Sequence, residues 1–166
     1  SEEESNKSPE AIAHLSMSAA FERAVDQYNM VKNYLEQTDI IKPIHIGETG
    51  WATVDDYIYT TPGSGATDEI KMKLYYDAIN QWAFQNNISC FYFEAFNEPW
   101  KGGELGSESH FGLFTVDGKA KYALWDLVDK GTFDNVTRGG NPIVKTYNGN
   151  IDLLYQDLLL PAIKKD

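Results

Sequence analysis

The sequence predicts an α/β fold built on a parallel sheet or barrel, and three observations carry that prediction. Apolar residues recur at helical spacing over 20–37 and again over 70–82. Each stretch leads into a short apolar run, first Ile44-His45-Ile46-Gly47 and then Ile88 to Ala95. Helix, strand, helix, strand is the rhythm of parallel strands joined by crossover helices. The 166 residues are 42% hydrophobic and 13% aromatic, too apolar for a disordered chain.

The elements follow in order. Residues 1–19 read as a polar N-terminal segment, although Ser8-Pro9 offers a helix cap and a first helical residue. From Ala20 to Gln37, Phe21, Ala24, Val25, Tyr28, Val31 and Leu35 step by three or four, one buried face of a helix. After Pro43 comes the first strand. Ala52 to Thr67 is a long loop containing the hinge-like Gly63-Ser64-Gly65, and loops of that length are usually functional or mobile. Thr67, Asp68 and Glu69 start a second helix, with acid groups at its positive end. Its core face is Ile70, Leu74, Tyr75, Ala78, Ile79 and Trp82, and Asn86-Asn87 ends it. The second strand follows, then a Gly-rich loop, Phe111 to Val116 with an Asp117-Gly118 turn, and a third helix over 119–130. Residues 131–166 form a C-terminal extension, turn-rich over 138–150, with a short helix at 153–160.

Charge and cysteine content narrow the function classes. The net charge of −11 and a sequence pI of 4.6 argue against a general nucleic-acid binder or attraction to an anionic membrane. No apolar run approaches the roughly 18 residues of a spanning helix, and SEEESNK is not a signal peptide. One cysteine, Cys90, excludes an internal disulfide, and the three histidines lack metal-ligand spacing. No metal or cofactor is expected.

Both strands run into carboxylates at their C-terminal ends, where parallel α/β folds place their active sites. The first delivers Glu48 in Gly47-Glu48-Thr49-Gly50-Trp51, and the second delivers Glu94 and Glu98 in FEAFNEPWK at 93–101. Carboxylates serve an acetal as acid, base or nucleophile, and tryptophan faces suit sugar rings. Taken singly, each has a plainer reading. A strand-end Glu is usually solvated or salt-bridged, Trp51 and Trp100 are usually packing residues, and Lys101 is a partner for a nearby acid. Glu94 fits a structural pair as well as it fits a binding role.

Together these residues resemble a known family. Gly47 to Trp51 looks like the nucleophile strand of glycoside hydrolase family 17, the β-1,3-glucanases and glucanosyltransferases. FEAFNEPWK is similar to the next strand motif of its bacterial members. Glu108-Ser109-His110-Phe111-Gly112-Leu113-Phe114, with Asp117-Gly118-Lys119, resembles the segment before the last barrel helix. The resemblance covers roughly residues 20–130. It implies the C-terminal part of a (β/α)8 (TIM) barrel, from about the sixth helix through the eighth strand and helix. It further implies a retaining double displacement on laminarin-like β-1,3-glucan, with no cofactor. Glu48 would be the nucleophile ending the seventh strand, and Glu98 a second acidic group ending the eighth. Lys101 and Glu108 match the same polar cluster, Glu94 stands beside it, and Trp51, Phe96 and Trp100 would line the glucan cleft.

Two local departures are Ala52, where the family usually has proline, and Asn97, where bacterial members commonly have Asp. A larger one is an absence. The family's acid/base carboxylate lies on an Asn-Glu pair ending the fourth strand, whereas the only Asn-Glu here is Asn97-Glu98. A whole barrel also needs ~200–250 residues. The expectation is therefore a part of a glycosidase barrel lacking its acid/base. The alternatives are a non-catalytic glucan-binding partial barrel, or an assembly subunit that pairs with itself or with a complementary barrel fragment, because bare strand edges invite pairing. A secreted, periplasmic or cell-envelope location fits a soluble acidic protein.

Overall fold

The computed structural model of the chain describes residues 7–56 and 63–161. Helix α1 (Pro9–Gln37) leads to strand β1 (His45–Thr49), helix α2 (Glu69–Gln85) and strand β2 (Ser89–Tyr92). The two strands pair in parallel, with His45 opposite Ser89 and Ile46 opposite Cys90, and the register shifts before Thr49 meets Tyr92. The α/β rhythm expected from the sequence is the one observed.

Helix α1 starts at Pro9 rather than at Ala20, so residues 9–19 are not a separate polar segment. Ser8 caps it, its hydroxyl oxygen accepting from the Ala11 amide at 3.3 Å, and Pro9 follows where a missing N–H costs nothing. Ala13 and Met17 in this early stretch are buried. Met17, Tyr75 and Ile79 form one core cluster, against which Phe21, Ala24 and Trp82 pack. The expected apolar face of α1 holds only in part. Val31 is exposed, as are Met30 and Tyr34, because this end of α1 overhangs the side of β1 that has no paired strand among the described residues.

Helix α2 is capped by Asp68, whose Oδ1 accepts from the Lys71 amide at 2.8 Å. Sequence periodicity places Ile70, Tyr75 and Ile79 in the core correctly, but Lys71 is also fully buried. Its ammonium pairs with Asp68 and donates to the Leu159 carbonyl at 2.6 Å, while the Leu159 amide donates to Asp68 at 3.2 Å. This buried pair fixes the tail on the start of α2. Ile70, Trp125 and Leu154 make a second core cluster there.

The third helix is shorter than expected. A 3-10 turn at 122–124 runs into α3 (Trp125–Asp129), and residues 119–121 are not helical. Their backbone is committed elsewhere: the Ala120 amide donates to the Val144 carbonyl at 2.7 Å and the Lys121 amide to the Leu113 carbonyl at 2.9 Å. The extension holds a small antiparallel hairpin, β3 (Thr137–Arg138) with β4 (Asn141–Pro142), and then α4 (Ile151–Gln156). Asn150 caps α4 through Oδ1, and that helix both begins and ends earlier than 153–160. No helix among the described residues is long and apolar enough to cross a membrane.

Candidate active site

Glu48 is the penultimate residue of β1, next to Thr49, and the strand end is held from two sides. The Phe93 amide donates to the Thr49 carbonyl at 2.7 Å, and the Thr49 and Tyr75 hydroxyls lie 2.7 Å apart. An open cleft of about 390 Å³ begins there, lined by Glu48, Thr49, Gly50, Phe93, Lys101, Glu108 and Phe111. Glu48 also borders a second hollow of about 330 Å³ on the unpaired side of β1, together with Gln27, Tyr28 and His45.

Strand β2 ends at Tyr92, short of the expected Ala95, because the chain then pairs with a different segment. The Glu94 amide donates to the Phe111 carbonyl at 3.3 Å, and the Leu113 and Phe114 amides donate back to Glu94 and Ala95 at 2.8 Å. The Phe93–Glu94 peptide is cis. This pairing lays the Glu108 to Phe114 motif beside FEAFNEPWK.

Lys101 is the cation at the centre. Its ammonium donates to Glu94 Oε2 at 2.8 Å, pairs with Glu98, and lies 4.4 Å from the centre of the Phe93 ring. Burial pushes the Glu94 carboxyl above its ordinary value, with Lys101 opposing and Glu98 adding to the rise. The other Glu94 oxygen, Oε1, is buried with no hydrogen-bond partner among the described residues. Lys101, donating to Glu98, holds that carboxyl below its ordinary value. The two carboxylates in turn raise the Lys101 ammonium. The site therefore contains an ionised acid, a second acid biased toward its proton, and a firmly charged lysine.

The structure brings Glu48, Lys101 and Glu108 to one cleft and joins Glu94 and Glu98 to it through Lys101. It places two of the expected aromatic residues elsewhere. The Trp51 ring packs 5.2 Å from Tyr75, and its indole N–H donates to the Ala66 carbonyl at 2.9 Å, so it serves the core. Phe96 is sandwiched between Phe114, 5.2 Å away, and the Arg138 guanidinium, 4.0 Å from its centre. Both rings have apolar or cationic neighbours that satisfy them better than open solvent would. Trp100 is 74% exposed.

The base of the long loop is tied down on both sides of residues 57–62, which lie outside the described residues. Asp55 accepts from Thr67 at 2.6 Å and from Ser64 at 3.1 Å, while Asp56 accepts from the Ser107 amide at 2.6 Å. One residue of the site escaped sequence reasoning altogether. Lys121 is 2% exposed beneath these segments. A lysine near the start of a presumed amphipathic helix gives no signal of burial. Among the described residues, no group of histidine, cysteine or acidic side chains could hold a metal ion.

The chain is similar to known proteins in sequence and in fold. A glucan 1,3-beta-glucosidase of Arthroderma benhamiae is 36% identical over 86 residues, which are 48% of this chain and 27% of that protein. A protein of the same name from Schizosaccharomyces pombe is 35% identical over 79 residues, covering 48% of this chain and 23% of its own length. The crystal structure of an endo-laminarinase from Formosa superposes on 98% of this chain with a TM-score of 0.92 and 53% sequence identity. The chain covers 42% of that laminarinase and about a quarter of the two curated relatives. Residues 7–125, which include both strands of the parallel pair and all the acidic residues of the cleft, match the sequence model of the glycosyl hydrolases family 17, and the chain belongs to that family.

Proposed function

We propose that this chain supplies the nucleophile side of a retaining β-1,3-glucan hydrolase or transglycosylase. The observation that carries the reading is one cleft at the C-terminal ends of two parallel strands, with Glu48 and Glu108 on its wall and Lys101 between carboxylates. One Glu48 oxygen would attack the anomeric carbon, the bond to the leaving oxygen would break, and a glucosyl ester would form. Water or an acceptor sugar would then displace Glu48. Lys101 and its partners would fix the cleft wall and balance its negative charge.

The leaving oxygen needs a proton from a second carboxyl about 5–5.5 Å from the nucleophile. Glu98 is poorly suited, because Lys101 keeps it ionised. Glu94 is biased toward its proton, yet Oε2 is committed to Lys101 and Oε1 is enclosed. The reading therefore assigns the acid/base to a carboxylate outside residues 1–166, on a further part of a (β/α)8 barrel. A polymeric substrate of this kind goes with a secreted or cell-envelope location.

An activated fluorosugar tests the nucleophile without needing the acid. A 2-deoxy-2-fluoro-β-glucoside carrying a dinitrophenolate leaving group departs unprotonated, and the fluorine slows release of the ester. Mass spectrometry of the treated chain should find one glucosyl adduct on the peptide containing Glu48, absent from Glu48→Gln. An adduct on another carboxylate, or none, overturns the assignment.

A second reading, a partner-dependent or binding-only partial barrel, has its own observation. Ile41 is 96% exposed and Phe91 63% exposed, and a groove of about 490 Å³ opens along the end of α1 beside Ile44. A second copy or a complementary barrel segment would cover these surfaces. Binding of laminari-oligosaccharides with no adduct at Glu48, and a shift to a larger species in sedimentation, would favour it.

A further inference from the structure

Three segments that carry the acidic residues of the cleft meet at one buried ammonium. Lys121 Nζ donates to Thr53 Oγ1 at 2.9 Å, to Asn97 Oδ1 at 2.9 Å and to the His110 carbonyl at 3.0 Å. Thr53 follows the Glu48 motif, Asn97 adjoins Glu98, and His110 lies between Glu108 and Phe111. The junction is closed further by the Thr53 amide and hydroxyl, which reach the same His110 carbonyl at 3.2 and 3.3 Å. An ammonium has three protons, and all three are used.

The acceptors are neutral, which makes this an expensive place for a charge unless the charge does something. Packing alone would be served as well by a methionine. A tripod of hydrogen bonds from one point is served only by the protonated amine, since a neutral amine has two donors and a lone pair facing three acceptors. The carboxylates of Glu69, on α2, and Glu94, after β2, act on the ammonium through space and favour its charge. The imidazole of His110 is turned to the Gly106 carbonyl at 2.9 Å.

We propose that Lys121 is a positioning residue of the cleft, its ammonium holding the Glu48, Glu94–Glu98 and Glu108 segments in the register that forms the cleft wall. This rests on the glucan reading only for its consequence, not for its geometry. Burial brings the Lys121 ammonium down to about 8, with Glu69 and Glu94 resisting the shift, so the tripod should come apart within an accessible pH range. If the protonated arrangement alone binds glucan, affinity falls about tenfold for each pH unit above that value.

Two measurements decide this. In proton–nitrogen spectra of the wild-type chain, the amides of Thr53, Asn97 and His110 should titrate together near pH 8, carrying those of Glu48, Glu94 and Glu108 with them. Lys121→Met should abolish that common transition, and Lys121→Arg should move it beyond the accessible range. The absence of a shared transition in the wild type, or one confined to the three acceptors, overturns the proposal even where neither variant folds. The second measurement is calorimetric affinity for laminarihexaose between pH 7 and 9.5. A fall in wild type that is flat in Lys121→Met supports the proposal, and affinity unchanged across the spectral transition overturns it. Failure to bind laminarihexaose at any pH sinks the glucan reading instead, and the spectra then decide the role of Lys121 alone.

Discussion

Gly50 and the carbonyl of Phe93 occupy space that a single added carbon would contest. A Cβ at Gly50 would run into the Phe93 carbonyl oxygen and lie 3.3 Å from the Phe111 ring. Gly112 repeats the relationship from the other side, where a Cβ would collide with the Asn97 amide and come within 2.6 Å of the Phe114 carbonyl. The three motifs are thus locked backbone to backbone through their glycines. Gly50→Ala and Gly112→Ala should each destabilise the chain by about 1–3 kcal/mol, the usual cost of overpacking. Among the described residues nothing lies within 4 Å of a would-be Cβ at Gly47, so Gly47→Ala should stay within about 0.5 kcal/mol of wild type. Denaturant midpoints for the three variants check the contrast, and a tolerated Gly50→Ala would refute the lock.

The two strand-end tryptophans should behave in opposite ways. Trp51 is half-buried against Tyr75 with its N–H satisfied, so Trp51→Ala should cost about 3 kcal/mol, near the low end for a tryptophan truncation. Trp100 is exposed, so Trp100→Ala should leave stability within about 0.5 kcal/mol. Any contribution of Trp100 to sugar stacking would then appear as lost oligosaccharide affinity in a chain of unchanged melting temperature. Equal effects on stability would contradict the placement of both rings.

Glu94 has one oxygen on Lys101 and one enclosed with no hydrogen-bond partner among the described residues. Lys101 is the chief influence opposing the effect of burial on this carboxyl. Lys101→Met should therefore raise the Glu94 carboxyl further and raise that of Glu98 as well, since its main stabilising donor is lost. The linkage has a definite sign. A folded-state value above the unfolded one means Glu94 contributes its stability at low pH and loses it as pH rises from the unfolded value through the folded one. Glu94→Gln should flatten that decline. Carbon-detected titration of the glutamate carboxyls, followed in wild type and Lys101→Met, reads the first effect; a Glu94 value unmoved by the substitution would contradict it.

Much of this site was legible because its chemistry lies in contiguous motifs. Three short segments carry Glu48, Glu98, Lys101 and Glu108, and the helical spacing of Ile70, Tyr75 and Ile79 marks their core face. The structure departs from the sequence reading where a residue answers to a distant partner. Trp51 turns to Tyr75 and Ala66, Phe96 to Arg138, and residues 119–121 to the 113–115 and 144–146 segments, none of which local periodicity records. Lys71 and Lys121 are the sharpest cases. Periodicity assigns lysine to the solvent face, and only the carboxylate of Asp68 or the acceptors Thr53, Asn97 and His110 make burial tolerable.

Lys121 also makes a prediction about stability that runs against the usual alkaline loss. Its folded-state value of about 8 lies below the ordinary 10.5 because burial disfavours the charge. Between those two values the unfolded chain holds a proton that the folded chain has released. Stability from this group therefore rises with pH across that window, with a slope approaching about 1.4 kcal/mol per pH unit. Burial raises the Cys90 thiol and so works the other way near the top of the window, which makes the comparison with Lys121→Met the informative one. Urea unfolding at intervals from pH 7.5 to 10 should give a stability difference, wild type minus Lys121→Met, that grows with pH. A constant difference would mean that the Lys121 ammonium is not perturbed by its burial, and the tripod would lose its claim to be a charge held at a cost in stability.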